Sequence, residues 1–193
     1  MLREKTVFIV GAGASREFNL PVGTQLAQMI SQKLNINFDN WGEGKATGDH
    51  DLFDAVRQHA NGDAESFQQS GWLIRDGIVL ANSIDDFLDS HRHDEKVVLM
   101  GKMAIAKCII EAERSSTLYF TIKNRDTIDF ASCADTWLVK LMRILVRGVA
   151  YKDRAKVFDN SAFIIFNYDR CVEHFFIHAL SRYFNIQAEE AND

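Results

Sequence analysis

The chain contains an apolar run that stops abruptly at small residues. Val7, Phe8, Ile9 and Val10 lead directly into Gly11-Ala12-Gly13-Ala14-Ser15, and Leu20-Pro21 follow. Because glycine has no Cβ, a ligand can approach the backbone of such a turn closely. Free N–H groups at a following helix start favour an anion there. The segment therefore predicts an α/β fold in which the first strand ends at a site for nucleotide phosphates.

Composition limits the fold and the partners. With 193 residues, of which 47% are apolar and 11% aromatic, the chain is expected to form one packed globular domain. The net charge is -5, and lysine and arginine are scattered, so we expect neither nucleic acid nor a membrane surface as a partner. No apolar stretch reaches the roughly 20 residues of a membrane helix.

Cysteine usage points to a reducing compartment. Cys108, Cys133 and Cys171 lie far apart and form no Cys-x-x-Cys pair, so neither a disulfide framework nor a zinc site is predicted. We therefore expect a cytoplasmic protein with no bound metal.

Most of the chain has helical periodicity. Apolar residues that recur every three or four positions predict one helix over Pro21 to Leu34 and another over Val97 to Ala112. Residues 35–49, with Gly42, Gly44 and Gly48, predict a loop. Further helices are expected over 51–59, over 71–81, from a Ser83 cap through Asp89, over 137–149 after a cap near Asp135, and over 172–183.

A second strand is predicted near the other end of the chain. The continuous apolar run Ala162-Phe163-Ile164-Ile165-Phe166 is typical of a strand buried on both faces of a parallel sheet. Two strands are few for an open sheet, and a helical insertion from about 35 to 155 separates them. We therefore expect one domain over 1–193 with an incomplete sheet, completed beyond Asp193 or by a partner such as a second copy.

Polar residues follow the second strand, where ligands bind in open α/β sheets. Asn167 can orient a water or a ribose hydroxyl, and Asp169 can accept a hydrogen bond or stabilise positive charge. Two alternatives remain open: Asp169 caps the last helix, and the glycine turn is purely structural. Arg16 stands where Gly-x-Gly-x-x-Gly needs its third glycine, which disfavours an ordinary Rossmann dehydrogenase.

Other polar clusters have simpler interpretations. His174 and His178 share a helix face with Arg170 and Arg182, whose charges would repel a cation, so we interpret them as a solvated polar face. Cys171 fits no Cys/His nucleophile pattern. The remaining candidates, interpreted as capping and surface groups, are Asp85, Asp86, Asp89, His91 and His93.

Three motifs together resemble the SIR2-like (sirtuin-related) NAD-binding family. They are Gly11-Ala12-Gly13-Ala14-Ser15 with Leu20-Pro21, Ser83-Ile84-Asp85-Asp86-Phe87-Leu88, and Phe166-Asn167-Tyr168-Asp169-Arg170 with Glu173. The resemblance covers essentially the whole chain. It is closer to the bacterial members found in antiphage defence systems and in uncharacterised proteins than to the deacylases, whose four zinc cysteines are absent. It implies a Rossmann-like (DHS-like NAD/FAD-binding) SIR2-type domain with a large helical insertion.

The resemblance also implies roles for individual residues. Gly11, Ala12, Gly13, Ala14 and Ser15, with Pro21, would bind NAD, and Asn167, Tyr168 and Asp169 would lie near its nicotinamide and ribose. Asn167 would be catalytic. In the family an asparagine and a histidine position the water that releases nicotinamide, and that histidine has no counterpart before Asp193.

Three functions follow as expectations. The complete protein would hydrolyse NAD to nicotinamide and ADP-ribose, and this chain alone would be inactive. Alternatively, the domain is a non-catalytic module that senses NAD or ADP-ribose and regulates a partner domain. A third alternative is a helical interaction protein whose glycine turn binds nothing.

Overall fold

A computed structural model describes residues 2–37, 47–59, 63–121 and 127–192. These residues form a mixed α/β structure that divides into two compact units. One unit combines Met1–Leu20 with Ala112–Asp193, and the other is Pro21–Glu111. The predicted glycine loop lies partly outside the described residues, since Gly42 and Gly44 fall within 38–46.

The sheet consists of two parallel strands from opposite ends of the chain. Strands β1 (Thr6–Val10) and β2 (Ser161–Ile165) pair in register from Thr6 opposite Ser161 to Val10 opposite Ile165. The Phe166 N–H donates to the Val10 carbonyl at 2.9 Å and extends the pairing one residue past β2. Because parallel strands end at the same edge, the residues after Val10 and after Ile165 meet there.

The prediction that β2 is buried on both faces is wrong. On one face Phe8 and Phe163 stack with ring centroids 5.1 Å apart and pack against the core, whereas Ile9 is 74% and Ile164 48% exposed on the other. Both strands are apolar at nearly every position, which is the pattern of two-sided burial. Within the described ranges, however, only one face of the pair is packed.

Eight α-helices are described; the first seven correspond to predicted helices with changed bounds, and the last was not predicted. They are α1 (Gly23–Lys33), α2 (His50–His59), α3 (Ala64–Gly77), α4 (Ile84–Ser90), α5 (Glu95–Arg114), α6 (Trp137–Leu145), α7 (Cys171–Phe184) and α8 (Ala188–Asn192). None in the described part of the chain has both the length and the apolar character needed to cross a bilayer.

The Pro21–Glu111 unit is helical and has its own apolar core. Ile30, Ile74 and Met100, from α1, α3 and α5, are fully buried there. The predicted Ser83 cap is confirmed, since the Asp86 N–H donates to Ser83 Oγ at 3.1 Å. Helix α3 begins seven residues before the predicted start, because apolar periodicity weakens where polar residues form its first turns.

The other unit packs α6 and α7 against the buried face of the sheet. Leu138 and Leu145 from α6 and Phe175 from α7 are fully buried in this core. The prediction of a cap near Asp135 is confirmed to within one residue: the N-cap is Thr136, whose hydroxyl donates to the Cys133 carbonyl.

Candidate functional site

The two motifs that follow the strands meet through side-chain hydrogen bonds. Ser15 Oγ donates to Asp169 Oδ1 at 2.9 Å, and Asn167 Nδ2 donates to Ser15 Oγ at 2.9 Å. More than 150 residues separate the partners along the chain. The register that places Val10 opposite Ile165 produces this meeting, since each motif begins within two residues of its strand end.

The glycine segment forms a 3₁₀ helix (Ala12–Phe18) directly after β1. The Ala14 N–H donates to the Gly11 carbonyl at 2.9 Å and closes the first turn. The N–H groups of Ala12 and Gly13 donate to no acceptor among the described residues, as expected at a helix start. These two N–H groups are the donors to which an anion would hydrogen-bond.

Neither Gly11 nor Gly13 is required by the turn itself. Gly11 has a φ of −117° and a ψ of 174°, which any residue adopts, and Gly13 is not among the glycines with positive φ. A Cβ built on either residue would meet nothing within 4 Å. The two glycines therefore leave open space over the backbone, which is the requirement for close approach of a ligand.

Helix α6 is hydrogen-bonded to this turn. The Trp137 indole N–H donates to the Ala14 carbonyl at 2.8 Å, and the Trp137 backbone N–H donates to Glu17 Oε2 at 2.8 Å. Glu17 therefore caps α6 from a distant part of the chain. Sequence reasoning missed both residues, because contacts over 120 residues leave no local pattern.

Asp169 caps the last helix, which is one of the alternatives that the sequence left open, and it also makes a contact that the sequence did not predict. Its Oδ1 accepts the Ser15 hydroxyl and also the Cys171 N–H at 3.0 Å, so it both joins the strand ends and caps the start of α7. Only 8% of its surface is exposed. A buried carboxylate held by two donors keeps a fixed position.

Asn167 has one polar atom left over. Its Nδ2 is used by Ser15, whereas its Oδ1 is buried and has no hydrogen-bond partner among the described residues. A buried acceptor without a donor costs about 1–3 kcal/mol, so such an atom calls for a functional explanation.

The other residues predicted to contact the ligand are Ser15, Tyr168 and Pro21, and they differ in exposure and position. Ser15 is only 1% exposed and its hydroxyl is engaged on both sides, so it lies beneath the turn surface. Tyr168, three residues beyond the end of β2, is 43% exposed. Pro21 is the first residue of the Pro21–Glu111 unit.

Cys171 is placed as an inert thiol. Burial raises its pKa to about 12, with the nearby Asp169 charge adding to the shift, so the thiol stays protonated at neutral pH. The prediction that Cys171 is not a nucleophile is consistent with this.

The two histidines of α7 are half-buried, so the prediction of a solvated face is wrong for them. His174 stacks on Phe120, His178 meets the same ring edge-on, and His174 Nε2 donates to the Leu118 carbonyl at 3.2 Å. Burial lowers the pKa of both imidazoles.

Arg170, which lies between Asp169 and α7, forms an ion pair with Glu113. Arg170 Nη2 lies 2.9 Å from Glu113 Oε2, and the Arg170 backbone N–H also donates to Glu113. Burial alone would raise the pKa of Glu113, but the hydrogen bonds from Arg170 outweigh it and lower that pKa. Both the side chain and the backbone of Arg170 are therefore held by Glu113.

Comparisons of this chain with protein-family models, with curated proteins and with solved structures found no match.

Proposed function

We propose that the Gly11–Ser15 turn and the Asn167–Asp169 segment form an NAD-binding site of the SIR2-like type, within a Rossmann-like fold. One observation carries the proposal: the two motifs are joined by the Ser15 hydrogen bonds at the carboxyl edge of a parallel strand pair. That edge is where nucleotides bind in open α/β sheets.

The chemistry of both segments suits a dinucleotide. The N–H groups of Ala12 and Gly13 suit the phosphates, and the open space over Gly11 and Gly13 lets a phosphate approach them. The unpartnered Oδ1 of Asn167 suits a hydroxyl or water near the glycosidic bond. Donors that suit an anion and an acceptor that suits a hydroxyl thus lie at one edge of the sheet.

The proposed reaction is hydrolysis of NAD. The bond between the ribose C1′ and the nicotinamide nitrogen breaks, and its electron pair goes to nicotinamide. A water oxygen then bonds C1′, one water proton is released, and the products are nicotinamide and ADP-ribose. Asn167 Oδ1 would accept a hydrogen bond from that water and orient it, while the buried Asp169 carboxylate would favour the positive charge that develops on the ribose.

A second candidate is a module that binds NAD or ADP-ribose without chemistry. In the described part of the chain, no hydrogen bond joins a histidine to Asn167, Ser15 or Asp169. The His174 ring is instead committed to Leu118 and Phe120. A site with an oriented acceptor but no neighbouring base favours binding over proton transfer.

Nicotinamide release and NAD binding separate these functions. The protein is incubated with NAD and nicotinamide is followed by chromatography, for the wild type, Asn167→Ala and the control Asn82→Ala, an exposed asparagine of the other unit. Release that Asn167→Ala abolishes and Asn82→Ala retains supports hydrolysis. Binding in calorimetry without release supports the sensor. Absence of both binding and release refutes the proposed site.

A further inference from the structure

Ser15 lies at the centre of the hydrogen-bond chain that joins the strand ends. It is 1% exposed, and its single hydroxyl contacts both Asn167 and Asp169 at 2.9 Å. We propose that Ser15 is a positioning residue that fixes which end of the Asn167 amide faces the ligand. This inference rests on the proposed function only for the identity of that ligand.

The number of available protons determines which atom donates in each of these hydrogen bonds. Asp169 Oδ1 accepts the Cys171 N–H, and a carboxylate has no proton to give, so Ser15 must use its only proton on Asp169. The Ser15 oxygen can then only accept from Asn167. Asn167 must therefore turn its NH₂ group to Ser15, and its carbonyl Oδ1 faces away from the serine.

The fixed amide has a consequence for recognition. Asn167 Oδ1 is buried and has no partner among the described residues, and it can only accept a hydrogen bond. The group that satisfies it must bring a proton, as a water or a hydroxyl does, and an ionised phosphate oxygen does not qualify. The Asn167 side of the site is thus selective for a donor.

The orientation of the amide can be measured without any ligand. In ¹⁵N-resolved NMR spectra, the Asn167 side-chain NH₂ signal is identified by its loss in Asn167→Ala. We expect one of its protons to exchange slowly with water in the wild type, because it is held by a buried oxygen. Ser15→Ala should speed that exchange by roughly two- to tenfold, the worth of one net hydrogen bond.

One further variant controls for simple damage to the fold, and another tests the direction of the hydrogen bonds. Ser31→Ala removes a half-buried serine hydroxyl that donates to the Arg75 carbonyl in the other unit, and it should leave the Asn167 signal unchanged. Asn167→Asp keeps the shape of the side chain but replaces the donor with an acceptor, so that two carboxylates compete for the single proton of Ser15. It should therefore lower the affinity for NAD.

Binding completes the test. Calorimetric titration with NAD should show a roughly two- to tenfold weaker affinity for Ser15→Ala and none of this loss for Ser31→Ala. Slow exchange that survives in Ser15→Ala overturns the positioning role, as does full NAD affinity in Asn167→Asp. If the wild type does not bind NAD, the proposed function fails, and the exchange rates still decide the role of Ser15.

Discussion

Replacement of Gly13 by alanine should separate the stability of the turn from its use as a ligand site. A Cβ at Gly13 would meet nothing within 4 Å, and Gly13 is not among the glycines with positive φ, so alanine fits without strain. Alanine also restricts the unfolded chain more than glycine does. We therefore expect Gly13→Ala to raise the free energy of unfolding by about 0.4–1 kcal/mol in the absence of ligand. That is a melting temperature about 1–4 °C higher for a chain of this size.

The same methyl group should abolish the effect of NAD. A ligand present at 100 times its dissociation constant stabilises a protein by about 2.7 kcal/mol, which raises the melting temperature by about 5–10 °C here. Gly13→Ala should lose this rise, because its Cβ occupies the space through which a phosphate reaches the backbone N–H groups.

Differential scanning fluorimetry with and without NAD measures both effects. Gly23→Ala is the matched control, since its Cβ would also meet nothing within 4 Å but the residue lies at the start of α1 in the other unit. It should gain similar stability and keep the NAD shift. A full NAD shift in Gly13→Ala, or a clear loss of stability without ligand, would refute the reasoning.

Two further predictions concern the support of the site and its response to pH. Trp137→Phe removes the indole donor to the Ala14 carbonyl, so the free energy of unfolding should fall by about 0.5–1.5 kcal/mol and the NAD shift should shrink, both measured by thermal melts. Unchanged melts would show that the bond does not hold the turn. Burial depresses the folded-state pKa of His174, so the stability that its neutral form contributes is present above about pH 6.5 and is lost as the pH falls through the folded pKa. Urea unfolding at pH 7 and pH 5 should show a smaller loss for His174→Phe than for the wild type, and equal losses would contradict this assignment.

Local patterns in the sequence predicted much of the framework. The apolar runs before Gly11 and before Asn167 predicted the two strands, and the 3.6-residue period predicted α1, α5 and α7 within a few residues of their ends. Ser83 was predicted as a cap because capping depends on residues three positions apart. Such features can be predicted because they depend on residues that are close together in the sequence.

Other features depended on which distant residues the fold brings together. Apolar strands on their own indicate two-sided burial, yet exposed Ile9 and Ile164 show that one face is left unpacked in the described residues. The half-burial of His174 depends on its contact with Phe120, which is distant from α7 in the sequence. Periodicity identifies a face of a helix but not what covers it.

The candidate site shows the same division. The sequence by itself determined that a glycine turn and an Asn-Tyr-Asp segment each follow an apolar strand. Only the tertiary structure decided that Ser15 lies beneath the turn. There its hydroxyl donates to Asp169 and its oxygen accepts a hydrogen bond from Asn167. The physical reason is that the direction of a hydrogen bond depends on every donor and acceptor in contact. Those contacts exist only when the parallel register places Val10 opposite Ile165.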